Sequence, residues 1–491
     1  MPRTLNLLIR SITNSPKFPL GVIGLAFSIS FLLHLHALNI DLVSVHVWRQ
    51  TETQTVINNF YKEDFNILNP RINYRRDGSG ILRKEFPIMQ WLFACFYKVF
   101  GEHIIISRLL TLWISFFSIF GLYQLLFKLS SDKTISAIGA WCLTFSPAFF
   151  YYSICPLPDN FALCLSIWGT TLFLTYLQNN RMKYFWGMTI LLMVGTLAKL
   201  PYILFYAIPV FYFIQEKNRN ALLKLFILAV SIIPVVIWYA LAIPTWNNNG
   251  ITTGIISNQM PISTWFYYLF SNLFSVFPEL LLNYGSVGLF LIGAYFTLKY
   301  RPQQKKLFLS FLVCVFCVCI YFLFEINMIK DMHDYYLFPF LPFLFIVVAY
   351  GAKRLLALDK KAISFFVIIS LCLLPLTTFL RMQSRWKIDS PGFNKDLYTY
   401  KNELRTISKP SDLVVVGNDV SQFIFLYYID RKGWVFNENQ LDAQTLQQMI
   451  QKGAKYLYTD SKVIQEKGEL KPNIEEEVFH KGSIIVYKLK G

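Results

Sequence analysis

Apolar residues recur along the chain in runs of about 20, the length an α-helix needs to cross the hydrocarbon core of a bilayer, and short basic stretches separate them. The pattern predicts a polytopic α-helical membrane protein of about eleven spans, near 18–38, 104–127, 134–153, 160–178, 184–199, 201–215, 225–244, 284–299, 307–326, 335–350 and 362–380. The fifth and sixth runs are short and meet at Lys199-Leu200-Pro201, so they form either one re-entrant pair or two tilted spans. The first run follows Arg3, Arg10 and Lys17 and lacks a small-residue cleavage site, which marks a permanent anchor rather than a removable signal peptide.

The first long loop, 39–103, exceeds a structureless connection and should carry helices of its own. Within it, 51–61 sets Thr55, Asn58 and Asn59 against Val56, Ile57 and Phe60, while 86–100 is apolar and aromatic but too short to span. Both read as helices lying on the membrane surface, separated by turns at Asn69-Pro70-Arg71 and Asp77-Gly78-Ser79-Gly80. Beyond 380 the apolar runs stop. Strands are expected at Leu413–Val416, Phe423–Tyr428, Lys455–Tyr458 and Ile484–Tyr487, with a helix over Leu441–Lys452 ending on Gly453. Two domains follow: a transmembrane domain over 1–380 and a small soluble α/β domain over 381–491.

Composition agrees: 55% of residues are hydrophobic and 15% charged, against about a quarter charged in soluble proteins, so a soluble enzyme is excluded. The 46 Lys and Arg outnumber 29 Asp and Glu, but the cations lie between apolar runs, which is membrane topology and not nucleic-acid binding. The positive-inside rule puts the N-terminus in the cytoplasm with Lys128, Lys133, Arg181, Lys183, Lys217, Arg219, Arg301 and Lys305, and leaves 381–491 outside. Only the first external loop dissents, with Arg49, Arg71, Arg75, Arg76, Arg83 and Lys84. Cations on the wrong side of that rule need a local reason, and an anionic ligand is one. The eight cysteines all fall in apolar stretches, so no disulfide framework is implied, and Cys314, Cys317 and Cys319 read as packing residues rather than a metal site.

Ionisable residues beside a bilayer are costly and usually functional. They gather on the external side: Asp41, His46, Arg49, Glu52, Lys84, Glu85, Asp159, Lys199, His333 and Asp334, with Tyr336 beside them. Such a cavity suits sugar transfer from a lipid phosphate, because the leaving phosphate needs cations and the acceptor hydroxyl needs one carboxylate base. Glu52 or Asp41 fits the base; Arg49, Arg76, Lys84 or Lys199 fits phosphate; Glu85 fits acceptor orientation or a metal; Asp159, His333, Asp334 and Tyr336 fit substrate binding. Each has a plainer role. Asp41 and Asp159 would merely cap helices, Glu52 face water, Glu85 pair with Lys84, Lys199 snorkel, and His333 and Asp334 pack at the interface.

The first span with its long acidic loop, Glu85-Phe86-Pro87, Asp159, the Gly195–Lys199 stretch and His333-Asp334-Tyr335-Tyr336 ahead of Pro339 and Pro342 resemble the C-type glycosyltransferase superfamily. More narrowly, they are similar to the bacterial branch of the dolichyl-phosphate-mannose protein mannosyltransferases that includes the lipid A aminoarabinose transferase. The resemblance covers roughly 15–380. It implies an inverting hexosyl- or pentosyltransferase of the cytoplasmic (inner) membrane. Such an enzyme takes a polyprenyl-phosphate sugar as donor and a glycan, lipid or protein as external acceptor. It also implies an essential acid in the first external loop, often in an Asp-Glu pair; here His46–Thr53 departs from that form, and Glu52 is preferred over Asp41. Lys84-Glu85-Phe86-Pro87 looks like the family's Glu-Lys-Pro stretch, and Lys199 like its donor-phosphate lysine. Some relatives hold a divalent metal through that glutamate and a histidine of a later loop, but the corresponding loop, 245–283, has no histidine. Rival readings are a lipid-linked sugar flippase or transporter, a non-catalytic scaffold, and a ligase or polymerase acting on diphosphate-linked oligosaccharides.

Overall fold

The computed structural model describes residues 18–76, 78–248, 260–299, 304–358, 360–437 and 440–491. Arg3, Arg10, Lys17, Asp77, Arg301 and the middle of the 245–283 loop lie outside them. The described chain divides into two compact units: one runs up to Leu38 and adds Lys84–Phe86 and Ser107–Gln383, the other comprises Asn39–Arg83, Pro87–Ile106 and Ser384–Gly491. The first long loop, expected to belong with the membrane helices, therefore groups with the C-terminal region.

The first unit is helical. Among its described residues are six helices long and apolar enough to cross a membrane, or up to seven if a bent pair counts as one. They include Pro158–Asn179, Lys305–Phe324 and Lys361–Trp386. Exposed Phe226, Phe316 and Phe365 make the outer surface apolar, as lipid contact requires. Of the remaining expected spans, the first is the single short helix Phe18–His34, and others are broken. Run 134–153 splits into Lys133–Thr144 and Pro147–Tyr152. Run 284–299 is one arm of a pair with Ile262–Leu281 bent by 112°.

The fifth and sixth runs break where Pro201 lacks an N–H and disfavours helix in the residue before it. Met182–Ala198 ends there, Lys199 is extended with φ −159°, and a 3₁₀ turn over Leu200–Tyr206 leads into Ala207–Glu216. Elsewhere two backbones touch. A Cβ on Gly293 would lie 2.0 Å from the Val347 carbonyl oxygen, and one on Gly351 1.9 Å from that of Leu289. Small residues let Tyr284–Lys299 and Leu341–Leu356 approach this closely, the usual device of membrane helix pairs.

The second unit holds a five-stranded sheet: β1 (Leu413–Gly417), β2 (Lys432–Val435), β3 (Ala454–Thr459), β4 (Ile474–Lys481) and β5 (Ile484–Leu489), ordered β2-β1-β3-β5-β4. β2, β1 and β3 are parallel, and β5 and β4 are antiparallel additions. Two of these strands, β2 and β4, were not expected. The segment expected as a strand at Phe423–Tyr428 is instead the helix Ile424–Ile429. Its first turn is capped: Ser421 Oγ accepts from the Phe423 and Ile424 amides at 3.1 Å, and Asp419 Oδ2 from that of Phe425 at 2.8 Å. The expected helix near 441–452 is present as Ala443–Gln451, capped by Asp442.

The long loop completes this unit. Gly433 N–H donates to Asn73 O at 3.1 Å and Arg75 N–H to Gly433 O at 2.8 Å, so residues 73–75 cover the free edge of β2. Its first helix, Val47–Lys62, is not the surface helix expected from its pattern: Thr51, Glu52, Gln54 and Thr55 are buried as fully as Val56 and Ile57. Val47 belongs to one apolar core with Leu397, Leu404, Val414 and Leu426. The second helix, Ile88–Phe100, buries Met89, Phe93 and Tyr97 and leaves Leu92, Phe96, Val99 and Phe100 exposed, the stripe a helix in the lipid boundary would present.

Candidate functional site

In the first unit the break at Lys199 sets up a cluster. Asp159, in the first turn of Pro158–Asn179, is 2% exposed and Lys199 9%, and Lys199 Nζ lies 3.4 Å from Asp159 Oδ2. The ammonium also stands over two rings, 5.0 Å from the centre of Tyr336 and 5.9 Å from that of Tyr335. Tyr202 Oη donates to the Asp159 carbonyl at 3.0 Å. Asp334, 1% exposed, accepts a hydrogen bond from Tyr152 Oη at 2.7 Å, and Asn160 Nδ2 donates to the Tyr152 carbonyl. His333 is half-buried, edge-on to Tyr335 and Tyr336. Asp159, Lys199, Asp334 and Tyr336 thus converge, although 177 positions separate Asp159 from Tyr336.

The same unit anchors Lys84 and Glu85. Phe86 N–H donates to Leu197 O at 2.9 Å, two residues before Lys199, and Trp238 Nε1 donates to Lys84 O at 3.1 Å. Phe86 and Trp238 meet edge to face with centroids 4.9 Å apart.

Sequence reasoning missed Tyr152 and Tyr202, whose types also fill cores, and Glu325. Glu325 stands one residue past the Lys305–Phe324 span, and burial pushes its carboxyl up to about 7 while Lys199 pulls it down. An acid ending an apolar run was the available signal.

In the second unit Arg49 and Glu52 lie one turn apart on Val47–Lys62 and form an ion pair of 2.8 Å, both side chains about 5% exposed. Arg76 is half-buried in a turn with φ 48°. Asp41 is neither solvated nor a helix cap. Its Oδ2 accepts from Lys401 Nζ at 2.7 Å, and its Oδ1 from Tyr427 Oη at 2.8 Å and the Leu42 amide at 2.9 Å. Burial alone would raise its carboxyl, but the Lys401 ammonium and these donors hold it below the usual value. Both oxygens are committed to tying the loop to Lys395–Ile407 and Ile424–Ile429. Among the described residues no three His, Cys, Asp or Glu side chains stand close enough to hold a metal ion, and Glu85 belongs to no such group.

The break at Lys199 thus sets one buried ammonium against a carboxylate and two aromatic rings. Residues 84–239 match the family model described as dolichyl-phosphate-mannose-protein mannosyltransferase. No curated protein sequence matches the chain. Among solved structures, ArnT from Cupriavidus metallidurans bound to undecaprenyl phosphate superposes with a TM-score of 0.68 at 12% identity, over 96% of this chain and 98% of that one. The Archaeoglobus fulgidus oligosaccharyltransferase in complex with Zn and sulfate gives 0.59 at 14% identity, over 95% and 72%. The arabinofuranosyltransferase AftD from Mycobacteria gives 0.55 at 8%, over 97% and 40%. The fold is that of the C-type glycosyltransferase superfamily.

Proposed function

We propose that this chain moves a sugar from a polyprenyl phosphate to a glycan, lipid or protein acceptor on the outer side of the cytoplasmic membrane, inverting the sugar carbon. The observation that carries this reading is the near full-length sharing of a fold with ArnT, one of whose structures holds undecaprenyl phosphate. The buried Lys199 cluster supports it from the chemistry of this chain.

In the reaction the acceptor hydroxyl oxygen attacks the anomeric carbon, the bond from that carbon to the phosphate oxygen breaks, and polyprenyl phosphate leaves. The acceptor proton passes to a carboxylate, which we assign to Glu52, oriented by Arg49. Lys199 takes up negative charge gathering on the phosphate, with Lys84, Arg49 and Arg76 as further candidate cations. Asp159, His333, Asp334 and Tyr336 position the donor, and Glu85 the acceptor. Asp41 serves structure. A single displacement needs one base and no second, protonated carboxyl.

The test is release of polyprenyl phosphate, followed by mass spectrometry, when purified protein meets a host membrane lipid extract containing acceptor. Glu52→Gln should slow release by about 10²–10⁴, the contribution of a general base. Equal release by both proteins would remove Glu52 from the reaction. Release by neither, with folded protein, would count against lipid-phosphate sugar transfer.

A further inference from the structure

Beside the Lys199 cluster lies a buried carbonyl oxygen that has no hydrogen-bond partner among the described residues. Asn160 follows Asp159 in the first turn of Pro158–Asn179 and is completely buried. Its Nδ2 donates to the Tyr152 carbonyl, while its Oδ1 is closed off from solvent and accepts no hydrogen bond. Turning the amide over does not help, because Oδ1 would then face the Tyr152 carbonyl, acceptor against acceptor. Native proteins seldom leave such an oxygen unmatched, and the missing donor has to come from outside the chain.

The surroundings narrow what that donor is. The Tyr152 hydroxyl donates to Asp334 at 2.7 Å, and the Tyr152 ring meets that of Tyr335 edge to face, centroids 5.4 Å apart. Tyr335 is one of the two rings beside the Lys199 ammonium, and Asp159 pairs with that ammonium at 3.4 Å. Asn160 is thus tied into the cluster twice, through its chain neighbour Asp159 and through Tyr152. In a polyprenyl-phosphate sugar the ionised phosphate diester carries no proton and the polyprenyl chain is hydrocarbon, so only the sugar offers an O–H or N–H. The acceptor hydroxyl is a poorer match. In an inverting displacement it approaches the anomeric carbon from the side opposite the phosphate, away from Lys199, whereas the donor sugar is bonded to that phosphate.

We propose that the Asn160 side-chain carbonyl accepts a hydrogen bond from a hydroxyl or amino group of the donor sugar. Lys199 then holds the phosphate of substrate and product alike, and Asn160 tells the sugar-bearing lipid from the bare lipid that leaves. This inference rests on the lipid-phosphate reading of the site.

The experiment adds full-length protein in detergent to a host membrane lipid extract supplemented with undecaprenyl phosphate. Native mass spectrometry reads the ratio of sugar-bearing to bare lipid phosphate on the protein, relative to the ratio in the mixture at the same moment. Asn160→Leu and the smaller Asn160→Ala remove the oxygen; Asn160→Asp keeps an acceptor there and loses the donor to Tyr152. Each is checked as monodisperse, and either of the first two suffices. Wild type should enrich the sugar-bearing lipid. Removing the oxygen should lower that enrichment about tenfold, the worth of one hydrogen bond, with binding of bare undecaprenyl phosphate unchanged. Asn160→Asp should retain the enrichment. Undiminished enrichment without the oxygen would overturn the proposal and assign Oδ1 to an internal water. Equal loss in all variants would show that the amide only orders Tyr152. Wild type that binds bare lipid without enrichment would overturn the sugar contact and leave the lipid-phosphate reading intact. Binding of neither lipid by wild type would remove that reading and this inference with it.

Discussion

Asp41→Ala separates the two carboxylates that compete for the role of base. It removes an acceptor of three hydrogen bonds and leaves the Lys401 ammonium, 19% exposed, facing the space where its partner stood. Breaking a buried ion pair costs about 3–5 kcal/mol, and the partial access of Lys401 to water places this case near the lower end, about 3 kcal/mol. At 1.4 kcal/mol per decade, local opening of Lys395–Ile407 and Ile424–Ile429 should become about a hundredfold more frequent. Hydrogen–deuterium exchange of full-length protein in detergent, read by mass spectrometry on peptides from those helices, measures it. The sign with pH follows from the depressed carboxyl. Its stabilisation is complete above the usual value of 3.8 and disappears as pH falls through the lower folded value, so the two proteins should converge in acid. Unchanged exchange together with abolished sugar transfer would refute the reasoning and make Asp41 the reacting carboxylate.

Lys199→Met should destabilise the membrane unit by about 3–5 kcal/mol by stranding the Asp159 charge, and adding Asp159→Asn should recover thermal stability but not sugar transfer. Recovery of transfer in the double variant would remove Lys199 from the site. Gly351→Leu should prevent the close crossing with Tyr284–Lys299 and lower the detergent melting temperature; an unchanged melt would show that these helices have room to part. A cysteine added after Gly491 should react with a membrane-impermeant maleimide only from outside the cell, and cytoplasmic labelling would reverse the external-face assignment.

Much of the helical fold was legible because a bilayer leaves no other way to satisfy the backbone, so spans write themselves as apolar runs. Apolar runs of this kind mask their interruptions, as at Pro147, which has no N–H to continue the helix, and the pairing of two helices through a sharp bend. Val47–Lys62 misled for a related reason: Gln54 meets Tyr97 and Asn59 meets Arg71 and Asn73 across the fold of the loop, and no helical periodicity announces that. Phe423–Tyr428 has strand-forming residues, yet Asp419 and Ser421 before it supply a helix cap. In β4, Glu475, Glu476 and Glu477 in succession erase the alternation by which strands are read. Of the site, Asp159, Lys199, Asp334 and Tyr336 were readable as ionisable or polar residues at span ends. Tyr152 and Tyr202 were not, since a buried tyrosine looks the same whether it fills space or orders a carboxylate.

The covering of β2 by residues 73–75 has a consequence for how the protein is made. Asn73 Nδ2 donates to Leu426 O, a partner 353 positions later in the chain. At about 5–20 residues per second the first long loop waits tens of seconds on the ribosome's schedule for its folding partner. Throughout that interval Val47 and Asn73 lack the C-terminal partners against which they pack, so the loop stays open to proteases and chaperones during synthesis. A stop codon near Ser384 would make that interval permanent: the membrane helices would be inserted, while the loop proposed to carry the base would never acquire its fold.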